Sequence, residues 1–228
     1  QGEKYFLQID SHMRFRKDWD QILIEQLEEC PGPKSILSTY PNNYNITDYE
    51  EEYLNNNKLQ VIGILNYNPE GYLNVQGVKV VDKLSPQLWI AAGFIFTYGD
   101  WISEVPYDER IYFKGEEDSL TIRSYTFGWD IYCPSLAVIY HCYQDNRLGS
   151  LEKYRPLHWE DKKIINYNYQ ALHQLYNNIN HKDIILGSDR SIKEFEKYYG
   201  LDFNKRTVEE WSSQGLNFDQ VQANLIEK

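Results

Sequence analysis

Short apolar runs, each stopped by a polar residue or a proline, restrict this chain more than any other feature. Tyr5-Phe6-Leu7-Gln8-Ile9 is a run of strand formers that halts at Asp10, and it predicts a buried strand. Trp19, Ile22, Leu23 and Leu27 follow helical spacing to about Glu29, and Pro31 ends that helix. Asp18 with Gln21 three residues on predicts a capping box at its start. Ser35 to Tyr40, closed by Pro41, is a second strand. Strand, helix and strand within forty residues predict an α/β fold. No window approaches the ~18 uninterrupted apolar residues of a membrane span. Gln1-Gly2-Glu3-Lys4 is followed by no signal-peptide h-region.

Residues 42–58 are rich in Asn, Tyr and Glu and read as a surface loop. Gln60 to Leu65 and Tyr72 to Val81 read as strands joined by the turn Asn68-Pro69-Glu70-Gly71. Leu88 to Thr97 is an apolar run holding Ala91, Ala92 and Gly93, small residues that let backbone approach something closely. A short helix is expected over Asp118 to Tyr125, and strands at Ile131-Tyr132 and Ala137 to Tyr140. After about residue 150 the texture turns helical. Ile165, Tyr169, Leu172, Tyr176 and Ile179 mark one amphipathic helix. Ser191 to Tyr199, with Gly200 as its stop, marks another. The expected organisation is a core over 1–150 and a helical extension over 151–228 packed on it.

The 228 residues are 42% hydrophobic, enough for one domain with a sizeable core. Twenty-three basic and 34 acidic residues give a formal charge of −11, which repels nucleic acid in the absence of a basic patch. Arg14, Arg16 and Lys17 sit among Asp10, Asp18 and Asp20 and make no such patch. Cys30, Cys133 and Cys142 form no CxxC pair and are odd in number, so zinc-ribbon and disulfide-framework readings fail and a reducing compartment is the simplest expectation. Asn45-Ile46-Thr47 is a formal glycosylation sequon of a kind that also arises by chance in Asn-rich loops.

Three segments can carry chemistry. Asp10-Ser11-His12 places a carboxylate and an imidazole two apart just past a strand, where open α/β sheets bind ligands. Alternate side chains of an extended segment point the same way, so both can reach one ion, and a mixed O/N pair suits Mn²⁺ or another divalent cation. The same triplet also reads as a capping or turn segment. His141 follows the strand ending at Tyr140, either as a structural histidine or as a further metal ligand. Gly115-Glu116-Glu117-Asp118 is either an acidic helix start or a Gly-hinged pair of carboxylates facing a polar substrate.

Taken together, Tyr5 to Phe15, then Trp19-Asp20, then Ile36 to Pro41 resemble the N-acetylglucosaminyltransferases that modify hydroxyproline on a cytoplasmic ubiquitin-ligase adaptor. The likeness runs from residue 3 to about 150 and includes the region from Gly187 to Phe203. A more distant likeness links Ala91 to Phe96, Tyr107-Asp108, Gly115-Glu116-Glu117, Arg123 and His141 to polypeptide N-acetylgalactosaminyltransferases. The resemblance implies a GT-A type, Rossmann-like sheet and a cytoplasmic enzyme. It also implies transfer of a sugar from a UDP-sugar donor to a hydroxyl on a protein or glycan acceptor, with retention of configuration. Carried over by position, Asp10, His12 and His141 would hold the metal. Glu116 and Glu117 would face donor sugar or acceptor, and Gly93 would lie under the sugar. Arg123 would be close by in a structural or phosphate role. Glu117 stands where the distant family has Asn.

Trp129-Asp130, beside Gly128, is an added candidate for substrate contact, since aromatics are enriched in binding sites. In GT-A folds the uridine-binding strands precede the metal motif, yet only nine residues precede Asp10. The expectation is therefore a sheet lacking its N-terminal strands. The chain would be a fragment of an active transferase, or a truncated module that binds without turnover. A metal-dependent hydrolase using the same three ligands is the remaining alternative.

Overall fold

Alternation along the central strands sends successive side chains to opposite faces, and each face meets its own helices. The computed structural model describes residues 2–46, 51–53, 58–143, 161–177 and 185–226. Strand β1 (Tyr5–Ile9) leads through a turn to β2 (Met13–Phe15), then α1 (Trp19–Glu28) and β3 (Ser35–Ser38). β4 (Asn42–Ile46), β5 (Glu51–Tyr53), the long hairpin β6 (Leu59–Tyr67) and β7 (Leu73–Val81), β8 (Ser85–Pro86) and β9 (Phe94–Tyr98) follow. Next come α2 (Asp100–Glu104), α3 (Glu116–Thr126), β10 (Asp130–Cys133) and β11 (Ile139–His141). The remainder is α4 (Lys162–Tyr176), α5 (Ile192–Tyr199), the ribbon β12 (Leu201–Asp202) and β13 (Thr207–Val208), α6 (Glu210–Ser213) and α7 (Phe218–Ile226).

The main sheet is mixed, in the order β1-β9-β3-β10-β8, with β3 and β10 parallel and its other pairs antiparallel. Leu37, Phe94 and Phe96 pack on Leu23 and Leu27 of α1. Their neighbours Ile36, Ile95 and Ile131 face the other way, onto Trp101 of α2 and Leu120 of α3. The result is helix, sheet, helix, the layering of a mixed α/β fold. A third apolar cluster joins Ile62 and Leu73 of the hairpin to Ile122 and Tyr125 of α3, Leu172 and Leu175 of α4, and Phe195 and Tyr199 of α5.

Several local expectations are altered. β1 is half-buried rather than buried, because it is an edge strand with one neighbour. Asp18 lies in the left-handed region (φ 59) and makes no side-chain cap bond, so no capping box forms there. The box forms instead at Ser191 and Glu194, and Gly200 (φ 68) stops α5 as its sequence requires. In the apolar run from Leu88, only residues from Phe94 onward are strand. α4 ends at Tyr176; Ile179, like Thr47 of the sequon, lies outside the described residues.

Candidate metal and sugar site

Two ladders meet at the Asp10-Ser11-His12 turn and bring distant residues together. On one side Ile9 pairs with Phe94, and the Asp10 N–H donates to the Gly93 carbonyl at 3.3 Å, extending the β1–β9 ladder by one rung. On the other side Met13 pairs with His141, and the Cys142 N–H donates to the His12 carbonyl at 3.1 Å. His141 Nε2 therefore comes to lie 3.0 Å from Asp10 Oδ2, although 131 residues separate them. The His12 and His141 rings are 4.3 Å apart between centroids. One ligand atom from each of the three residues falls within 4.8 Å of the others.

The donor set fits a divalent ion. Two adjacent ligands at about 2.1 Å on an octahedral centre stand about 3.0 Å apart, the separation seen between Asp10 and His141. A carboxylate with two imidazoles is a mixed O/N set suited to Mn²⁺ or its neighbours. His141 is 4% exposed, and its Nδ1 has no hydrogen-bond partner among the described residues. Tyr143 lies against it, ring centroids 4.0 Å apart.

The small residues after Leu88 are where the second half of the site is bolted on. Ser38 Oγ donates to the Phe94 carbonyl and accepts from the Ala91 N–H, fixing the connector. The Ala92 N–H donates to Glu117 Oε1 at 2.8 Å, and the Ala92 carbonyl accepts from Gln8 Nε2 at 2.8 Å. A Cβ on Gly93 would stand 3.1 Å from Asp10 Oδ2, so glycine keeps the carboxylate's space clear. Ala91-Ala92-Gly93 thus lies between the Asp10 cluster and the first turn of α3.

That first turn carries Glu116 and Glu117 after Gly115, whose φ of 88 and contact distances both require glycine. Burial pushes the Glu116 carboxyl up to about 7, and the charges of Glu117 and Asp10 add to the effect. Burial likewise pushes Glu117 to about 7, against the pull of the Ala92 N–H and the Trp89 indole, with Asp10 again raising it. The shared influence of Asp10 ties these carboxyls to the histidine cluster. Burial also holds the Tyr107 phenol, which accepts from Gln8 Nε2, at about 12, a neutral hydroxyl at physiological pH.

Other sequence candidates fall elsewhere. Arg123 is buried; its guanidinium donates to the Ile185 carbonyl at 2.9 Å and to the Pro106 carbonyl at 2.5 Å, tying α3 to two loops. Trp129 is 1% exposed, packs with Trp101 and Ile131, and donates to Glu104 at 2.8 Å. Asp130 pairs through both carboxylate oxygens with Arg190, at 2.6 and 3.1 Å. The register sets Asp130 against Ser35, the far end of β3 from Ser38. Trp129 and Asp130 therefore sit at the end of the strands opposite Asp10, roughly 10 Å away or more by strand rise. Sequence reasoning passed over Gln8 and Tyr143. Gln8 was accessible through period two, which puts it on the same side of β1 as Asp10.

The family model for glycosyltransferase (GlcNAc) matches residues 1–212. The chain belongs to this family. Membership makes it an enzyme-family member whose relatives move a sugar from a donor to an acceptor, and the match includes every residue of the site just described. It also runs past residue 150, through α4 and α5. A comparison with curated proteins gave no match. Among the described residues no helix of this glycosyltransferase is long and apolar enough to cross a membrane.

Proposed function

We propose that this glycosyltransferase transfers N-acetylglucosamine from UDP-N-acetylglucosamine to a hydroxyl on a protein or glycan, with retention, on a GT-A type sheet, in the cytoplasm. Asp10, His12 and His141 would hold Mn²⁺ or another divalent cation. The observation that carries the reading is the 3.0 Å approach of His141 to Asp10 across 131 residues, next to two carboxyls titrating near 7. A bound divalent ion would supply charge neutralisation for the departing diphosphate. Gly93 leaves room beside Asp10 for the sugar to approach. Glu117, anchored to the Ala92 N–H, fixes the polar wall. Glu116, with its carboxyl near 7, is matched to hold or accept the proton of an acceptor hydroxyl at neutral pH.

The test is release of UDP from UDP-N-acetylglucosamine with Mn²⁺ and with EDTA, for the parent and for Asp10→Ala. Metal-dependent release that disappears in Asp10→Ala supports the reading. No release from the parent overturns it in favour of a binding module. Cleavage of sugar substrates that lack a nucleotide overturns it in favour of a hydrolase.

A further inference from the structure

We propose that the outer edge of β7 takes an extended, uncharged polypeptide segment as an added strand, and that this segment is the acceptor, led along the edge toward Glu116. The inference rests on reading the chain as a sugar transferase with a protein acceptor.

The register settles which backbone groups of the hairpin face outward. On β6 the Gln60 carbonyl accepts from Thr39 Oγ1 and the Ile62 N–H donates to Gln87 Oε1, both at 2.8 Å, so these two residues turn their main chain away from β7. Their partners across the hairpin are Val80 and Gly77. Opposed residues of an antiparallel pair that do not bond one another both point outward, so Val80 and Gly77 present their N–H and C=O on the far edge of β7. Alternation adds Val75 and Leu73 to that edge. Leu73 agrees, since its N–H leaves the hairpin and donates to Asp118 Oδ2 at 3.1 Å. Among the described residues no strand pairs with β7 on this side, and the main chain of Val75, Gly77 and Val80 makes no hydrogen bond there.

An open edge is usually blunted by charge, proline or a bulge. Here the guards sit at one end. Lys79 and the irregularity at Val78 protect the far half, whereas Asn74 to Gly77, next to Asp118, carries neither charge nor proline. The exposed side chains of that stretch are the amides Asn74 and Gln76, suited to a polar neighbour, and a net charge of −11 disfavours an acidic one. Continuity with the candidate site names the occupant. Asp118 holds the first rung of the edge, and Leu73 lines a cavity of about 300 Å³ together with Glu116 and Glu117. Another wall of that cavity, the Tyr112–Lys114 turn, is held by buried Asn168 of α4, which accepts from the Tyr112 N–H at 3.0 Å and donates to the Lys114 carbonyl at 3.0 Å. A chain paired with Gly77 and Val75 therefore runs end-on toward Glu116. Pairing of this kind draws its affinity from the main chain and tolerates varied side chains.

The experiment is residue-resolved amide hydrogen exchange on the full chain. The probe is an acetylated, amidated ten-residue peptide alternating threonine and valine, set beside the same peptide N-methylated along its backbone. The Val75 and Gly77 amides are expected to exchange at least tenfold more slowly with the first peptide and within twofold of the free protein with the second. Gly77→Pro removes one outward N–H and should abolish the protection at Val75; if that variant does not unfold cooperatively in urea, the N-methylated arm decides alone. No protection by the first peptide, or equal protection by both, overturns the docking edge. Slow exchange at Val75 and Gly77 without peptide, in a dimer that forms as concentration rises, assigns the edge to a second copy and also overturns it. Incubation with UDP-N-acetylglucosamine and Mn²⁺ then tests the acceptor role, with sugar expected on the threonine hydroxyls of the first peptide only. Protection and UDP release without sugar on the peptide overturn that role. UDP release without protection overturns the edge and leaves the transferase reading standing; protection without UDP release does the reverse.

Discussion

Replacing Asp118 with asparagine should stabilise the protein at neutral and alkaline pH, and not in acid. Asp118 is buried on α3, where it accepts from the Leu73 N–H at 3.1 Å and from the Tyr176 hydroxyl at 2.5 Å. Burial raises its carboxyl to about 7, despite both hydrogen bonds, with the charge of Glu117 adding to the rise. In the unfolded chain the group titrates near its ordinary 3.8. Between those values the native state keeps a proton that the unfolded state has lost, so stability falls as pH rises from about 4 to 7 and is level beyond. At about 1.4 kcal/mol per pH unit, the ceiling on that loss is about 4 kcal/mol. Asparagine keeps a carbonyl for the two donors and removes the charge. Allowing for imperfect hydrogen bonding of its amide, the expected gain is about 1–3 kcal/mol at pH 8.5 and near zero at pH 5. Urea unfolding with EDTA present, at both pH values and with the m-value checked for constancy, measures it. An Asp118→Asn protein less stable than the parent at pH 8.5, or a difference that does not vary with pH, would refute the account.

Three other outcomes follow from the same geometry. His141→Ala should weaken Mn²⁺ binding by at least about a hundredfold in calorimetry, more than the loss typical when only an outer-shell partner is changed. Gly115→Ala should cost about 2–4 kcal/mol in urea unfolding, because φ 88 and a contact of 2.5 Å with Leu172 Cδ1 both oppose a Cβ. Trp129→Ala should cost about 3–5 kcal/mol of stability while leaving Mn²⁺ affinity unchanged, since the indole is in the core at the opposite end of the strands.

The parts of this fold legible in the sequence are those written in local periodicity. Leu23 and Leu27 announced α1, Ser191 and Gly200 bounded α5, and Asn68 with Gly71 marked a hairpin turn that forms with the Gly71 N–H donating to the Asn68 carbonyl at 3.0 Å. The three metal-capable residues were found because each stands at the end of a strand, a position that constrains direction as well as location. Asp18 misled because a left-handed backbone turns its side chain away from the helix it precedes, and no sequence period reports φ. Trp129 misled because an aromatic beside an acid looks the same in a core as in a cleft; only the neighbours Trp101 and Glu104 decide. Asn168 could not have been singled out. Its role depends on a turn 56 residues earlier, and nothing in the spacing of α4 points there.

The dependence of that turn on Asn168 bears on how the protein is born. Asp10 and His141 have both been synthesised before α4 begins, whereas the turn beside Glu116 must await an amide 56 positions further along. At ribosomal speeds of about 5–20 residues per second, that wait is roughly 3–11 seconds. A nascent chain stalled after His141 and before Asn168, within the later half of that wait, would carry all three candidate ligands and a Tyr112–Lys114 turn without the Asn168 brace, so the order of synthesis sets when this turn can close.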